Sequence, residues 1–96
     1  MQDKYTLKFL PTALKEWQKL ESSIQGQLKK KLRERLQNPH VQSSLLHGFE
    51  NHYKINLRAS GYRLVYEVID KEIVVLVIAV GKREKNLAYK KAAKRK

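Results

Sequence analysis

Two stretches of alternating apolar and polar positions, joined by a turn, make up YKINLRASGYRLVY at residues 53–66, and the same period recurs near the start of the chain. In KYTLKF (4–9), Tyr5, Leu7 and Phe9 alternate with Lys4, Thr6 and Lys8, which predicts a first strand. Pro11 and Thr12 open a helix whose apolar stripe reads Leu14, Trp17 and Leu20. Ser22 or Ser23 is the expected N-cap of a second helix, with Ser22 and Gln25 at capping-box spacing. Along it Ile24, Leu28, Leu32 and Leu36 recur every four residues and predict one buried stripe, which NPH at 38–40 ends. Residues 40–52 read as an irregular connection anchored by Leu45 and Leu46. Strands follow at about 53–58, 62–69 and 73–80, separated by the turn signals ASG (59–61) and DKE (70–72). The run IVVLVIAV (73–80) is apolar on both faces, which suits a central strand and falls far short of the ~18 residues of a membrane span. The tail KREKNLAYKKAAKRK is helix-competent, and its few apolar residues, Leu87 and the alanines, predict a short, loosely held helix.

This order specifies an α+β fold in a single domain over 1–96. Its small antiparallel sheet combines the N-terminal strand with the C-terminal three-stranded meander, and two helices pack on one face. The first strand is expected to join the meander after the helical crossover, leaving the other sheet face for function. A short basic helix closes the chain. No cysteine is present, so disulfides, thiol chemistry and cysteine-based zinc sites are excluded, as suits a reducing cytoplasm. The charged opening MQDKYTLK offers no apolar leader.

Charge changes the picture more than composition does. Twenty-one Lys and Arg against nine Asp and Glu give a net charge of +12, which draws polyanions by long-range attraction. The 42% hydrophobic content marks a folding chain rather than a basic tail. On the second helix Lys29, Lys30, Lys31, Arg33 and Arg35 surround the leucine stripe, with Glu34 alone to balance them. That helix and the basic tail together predict a polyanion surface whose binding weakens steeply with salt.

The hairpin is more specific. Ile55 and Leu57 share one face, which puts Lys54, Asn56 and Arg58 on the other; Leu64, Tyr66 and Val68 likewise oppose Arg63 and Glu67. The central strand runs into Gly81, Lys82 and Arg83, and Tyr89 follows on the tail helix, so a cleft gathering Lys54, Arg63, Arg83 and Tyr89 is expected. His40, His47 and His52 lack other ligands at metal-site spacing, and satisfied or exposed side chains are the ordinary reading of each. P-loop and dinucleotide fingerprints are missing, as is a closely spaced carboxylate pair. Cations and a phenol suit a phosphodiester. RNA carries its own nucleophile, the 2′-OH, so the protein has only to remove the 2′ proton, stabilise the phosphorane and protonate the leaving 5′ oxygen. The fixed fork of arginine suits the second task. A lysine can do the first only where its pKa falls well below ~10.4.

The segments ALKEWQKL, QLKKKL, YKINLRASGYRLVYEVID and VGKRE followed by Tyr89 resemble, in order from about residue 5 to 92, the RelE-type toxins of bacterial type II toxin–antitoxin systems. The resemblance implies a cytoplasmic, ribosome-dependent mRNA endonuclease. It would need neither metal nor cofactor and would cut A-site codons on the 70S ribosome. A cognate RelB-type antitoxin would neutralise it, with operator DNA bound only through that antitoxin and no membrane involved. By the same resemblance Lys54, Arg63, Arg83 and Tyr89 form the catalytic set. Lys54 is then base or electrostatic stabiliser, Arg63 grips the scissile phosphate, Arg83 stabilises or protonates the leaving oxygen, and Tyr89 orients the substrate. Asn56, Arg58 and Lys82 would bind substrate, and Lys29, Lys30, Lys31, Arg33 and Arg35 would contact ribosomal RNA. Relatives carry YKIKLR where this chain has YKINLR, so Asn56 replaces a second lysine and cannot be a base. His52, on the Lys54 side of the strand, is a candidate substitute. The alternatives are a same-fold toxin that acts by binding alone, for instance on a topoisomerase, and a noncatalytic RNA-binding module.

Overall fold

The computed structural model describes residues 4–82 and 87–95. Their elements are β1 (Thr6–Phe9), α1 (Pro11–Gln18), α2 (Ser22–Gln37), a 3₁₀ turn (Gln42–Ser44), β2 (His52–Leu57), β3 (Tyr62–Ile69), β4 (Val74–Lys82) and α3 (Leu87–Arg95). The sheet order is β1-β4-β3-β2. As expected, β1 joins the meander through the strand at residues 74–82. The expected all-antiparallel sheet needs correction, because β1 runs parallel to β4, Thr6 beside Val74 and Phe9 beside Val77. The two-helix crossover returns the chain in its original direction for β2, and two hairpin reversals then bring β4 back to that direction beside β1.

The helical face is closed by α1 and α2. Leu28, Leu32 and Leu36 meet Tyr53, Ile55, Leu57, Leu64, Tyr66, Val68, Val75, Val77 and Val80 in the main core. On α1 the core residue is Ala13, fully buried, while Leu14 stays 39% exposed. The small side chain lets α1 come close to β4, where Leu10 N–H already bonds the Val77 carbonyl. The capping box does not form. Glu21 is the N-cap residue of α2, without a side-chain cap, and Gln25 instead donates to the Trp17 carbonyl at 2.7 Å, tying α2 to the end of α1.

A second, smaller core lies on the opposite sheet face. Leu46, Val65, Ile78 and Ala79 surround Ala92 of α3, with Phe49 and Leu76 beside them. The tail helix is therefore docked, not loose, and covers part of the face that sequence left open. Leu45 packs on the first core and Leu46 on the second, so the connection wraps the free edge of β2, where Leu45 bridges Tyr53. A bulge in β4 sets up this second core. Val65 pairs with Ala79 but Tyr66 pairs with Val77, so Ile78 is the extra residue and joins Ala79 on the α3 side.

Candidate active site

Strand register builds the site. Tyr53, Ile55 and Leu57 of β2 point into the helical core, so alternation sends His52, Lys54 and Asn56 to the opposite face. On β3, Leu64, Tyr66 and Val68 do the same, which leaves Arg63, Val65 and Glu67 facing with them. Asn56 lies directly opposite Arg63, and Arg63 directly opposite Gly81. Lys54 lies opposite Val65, which pairs in turn with Ala79. Adjacent strands sit about 4.8 Å apart and same-face neighbours along a strand about 6.8 Å, so Lys54, Asn56 and Arg63 fall within the span of one phosphodiester and its neighbours. Gly81 ends the Asn56–Arg63 row without a side chain.

Lys54, Asn56 and Arg63 are all half-buried. The Asn56 Oδ1 is enclosed and has no hydrogen-bond partner among the described residues. A buried amide oxygen without a donor is costly in a resting fold.

Other expected site residues are placed differently. Arg58 is exposed in the turn after β2, closed by the Gly61 N–H to Leu57 carbonyl bond of 2.8 Å. Lys82 pairs with Tyr62, a residue of the helical core, so the register puts Lys82 on the side away from Arg63, at the end of the sheet. Arg83 lies outside the described residues, and Tyr89 falls on α3. His52 is on the Lys54 face but only 4% exposed, with Nδ1 2.6 Å from the Glu50 carbonyl and its ring against Phe49. Its imidazole is thus enclosed by protein, which removes it as a substitute base. Among the described residues no three His, Asp or Glu side chains gather as metal ligands.

Arg35 corrects the reading of the basic helix. Its guanidinium turns inward, with Nη1 donating to the Lys54 carbonyl at 3.2 Å and to the Tyr66 hydroxyl at 2.9 Å. Nη2 donates to Ser44 Oγ at 3.2 Å. Burial pushes the Tyr66 phenol above its ordinary pKa, against the opposing effect of the Arg35 bond and charge. The Tyr66 hydroxyl donates in turn to the Pro39 carbonyl at 2.8 Å. Arg35 thus braces β2 and β3 against α2 and is not available to RNA. Lys29, Lys30, Lys31 and Arg33 remain exposed, on the helical side of the sheet.

Sequence reasoning missed Glu16. It receives Arg95 Nη1 at 2.9 Å, Lys91 Nζ at 2.6 Å and the backbone N–H of Val80 at 3.2 Å. Burial pushes its carboxyl pKa upward, but the bonds from Arg95, Lys91 and Val80 outweigh this and hold it below the ordinary value. The legible signal was Lys91 and Arg95 at i,i+4 on one helix face, in a molecule with few acids to receive them.

Comparison with known proteins matches residues 7–87 to the family model described as the ParE toxin of type II toxin–antitoxin systems. The mRNA interferase toxin RelE of Escherichia coli K12 is 55% identical over 91 residues, 95% of this chain and 96% of that protein. The mRNA interferase RelE of Shigella flexneri matches to the same extent. Among solved structures, an arginine-to-alanine double mutant of E. coli RelE in the free state superposes with a TM-score of 0.89 at 53% identity, covering 96% of this chain and 97% of that one. The toxin of the intact E. coli RelBE toxin–antitoxin complex gives 0.82 at 56% identity, covering 84% and 99%.

Proposed function

The chain belongs to the ParE toxin family of type II toxin–antitoxin systems, and on that footing we propose that it is a ribosome-dependent mRNA endonuclease. One observation carries the reading. Lys54, Asn56 and Arg63 share a half-buried sheet face, Asn56 directly opposite Arg63, in a chain 55% identical to a protein named an mRNA interferase toxin.

In this reading the mRNA occupies the face of β2 and β3 next to the end of β4. The 2′-OH of one nucleotide attacks the adjacent phosphorus, the P–O5′ bond breaks, and the products end in a 2′,3′-cyclic phosphate and a 5′-OH. Lys54 takes the 2′ proton or stabilises the phosphorane. Arg63 grips the scissile phosphate with its fork. Arg83 stabilises or protonates the leaving oxygen, and Tyr89 orients the substrate. Asn56 contributes a neutral hydrogen bond where relatives carry a lysine, so the base function on β2 rests with Lys54 alone. Arg58 reaches flanking phosphates from its turn, whereas the register takes Lys82 out of the substrate-facing row. Lys29, Lys30, Lys31 and Arg33 bind ribosomal RNA from the other side of the sheet. The toxin acts in the cytoplasm on 70S ribosomes with mRNA in the A site. A RelB-type antitoxin neutralises it and carries the complex to operator DNA.

Translation in vitro with primer extension on the message tests this. Cuts within A-site codons by the wild type, lost in Lys54→Ala, are the expected result. Halted translation over an intact message would overturn it. So would untouched translation with failing DNA supercoiling, the result expected of a same-fold toxin that binds a topoisomerase.

A further inference from the structure

β4 outruns its neighbour on one side. β1 pairs with it only as far as Val77, and beyond Leu10, whose N–H bonds the Val77 carbonyl, no strand continues along that edge among the described residues. Backbone groups there need partners, the more so at a bulge. Side chains supply them. Glu16 Oε1, from α1, accepts the Val80 N–H at 3.2 Å, and Arg95 Nη1, from α3, donates to the Ile78 carbonyl at 2.9 Å. The two side chains also grip each other as a fork, at 2.9 and 3.3 Å. Lys91 closes on the other carboxylate oxygen at 2.6 Å. An acid and a base thus stand where a further stretch of β1 would run, clasping the β4 edge from the two faces of the sheet.

Both halves of what the clasp holds belong to the candidate site. Val80 is followed by Gly81, which faces Arg63 across the ladder, and then by Lys82 and Arg83. α3 carries Tyr89 two residues before Lys91. Among the described side chains of the helix Ala92 is the one fully buried, and the clasp adds a directional tie to that contact. We propose that Glu16 is a positioning residue of the active site, whose carboxylate sets the docking of α3, the helix that carries Tyr89, against the end of β4 beside the Gly81–Arg63 row. Its effect on cleavage rests on the function proposed above; its effect on docking does not.

The test uses Glu16→Gln, Arg95→Ala and the double variant in the full chain. Glutamine keeps an acceptor for Val80 and removes the charge that Lys91 and Arg95 share. Amide hydrogen exchange should show protection of residues 87–95 falling about tenfold, the weight of a charge-assisted hydrogen bond, with β2 and β3 unchanged. On mRNA-programmed ribosomes kcat should fall about 10²-fold with KM unchanged, as for reacting groups displaced by about an ångström. The double variant should be no worse than the worse single. Unchanged protection of α3 in Glu16→Gln, or wild-type kcat with α3 loosened, overturns the proposal. A wild-type protein that cuts no message would instead overturn the nuclease reading, and the exchange measurement would still decide the clasp.

Discussion

Arg35 holds the backbone of Lys54: the guanidinium on α2 donates to the Lys54 carbonyl at 3.2 Å while alternation sends the lysine side chain to the far face of the sheet. β2 is an edge strand, so this bond and the one to Tyr66 replace part of the support a neighbouring strand would give. Replacing Arg35 with alanine should cost roughly 2–3 kcal/mol, since three acceptors lose a charged donor at once. Arg35→Lys should recover little, because an ammonium cannot span the same fork. Urea denaturation of the two variants checks both statements.

The exposed cations of α2 should behave in the opposite way. Alanine at Lys29, Lys30, Lys31 or Arg33 should leave stability within about 0.5 kcal/mol. Each should reduce the salt dependence of ribosome binding by about one phosphate contact. Binding measured across a salt series separates them from Arg35, whose loss should show in unfolding first.

The difference between Arg35 and its neighbours marks where sequence was legible. Period-two and period-four patterns placed the strands, the α2 stripe and the faces of Lys54, Asn56 and Arg63, because each follows from local geometry. The parallel pairing of β1, the inward turn of Arg35 and the clasp at Glu16 depend on groups distant in the chain. Arg35 looked like one more cation in KKKLRER, and only the position of the Lys54 carbonyl and the Tyr66 hydroxyl tells it apart. The bulge at Ile78 was hidden for a related reason. In IVVLVIAV every position is apolar, so no alternation exists for an extra residue to interrupt.

The Glu16 carboxyl predicts an acid-side weakening of α3. Its folded pKa is depressed by Arg95, Lys91 and the Val80 amide despite burial. The stability it contributes is therefore fully present above the unfolded value of roughly 4.3, and is lost as pH falls through the lower folded value. Exchange rates of the α3 amides, corrected for intrinsic pH dependence, should rise in that window in the wild type. They should be nearly flat in Glu16→Gln.

Ile73 sits in the turn between β3 and β4 with φ of 56° and 54% of its surface exposed. A β-branched residue is strained in that left-handed region, and its side chain finds little packing there. Ile73→Gly should raise stability by about 1 kcal/mol while leaving cleavage unchanged, as thermal unfolding and a translation assay can establish.

Single-turnover cleavage of mRNA on programmed 70S ribosomes, wild type against Arg63→Ala, tests the central claim most directly. The wild type should cut within the A-site codon, leave a 2′,3′-cyclic phosphate, and leave the same RNA nearly intact off the ribosome. Arg63→Ala, folded by circular dichroism, should be slower by ~10²–10³-fold, as for removal of one donor to the charge that develops in the transition state. Equal rates for the two proteins would contradict the assignment of the Lys54–Arg63 face as the site of cleavage.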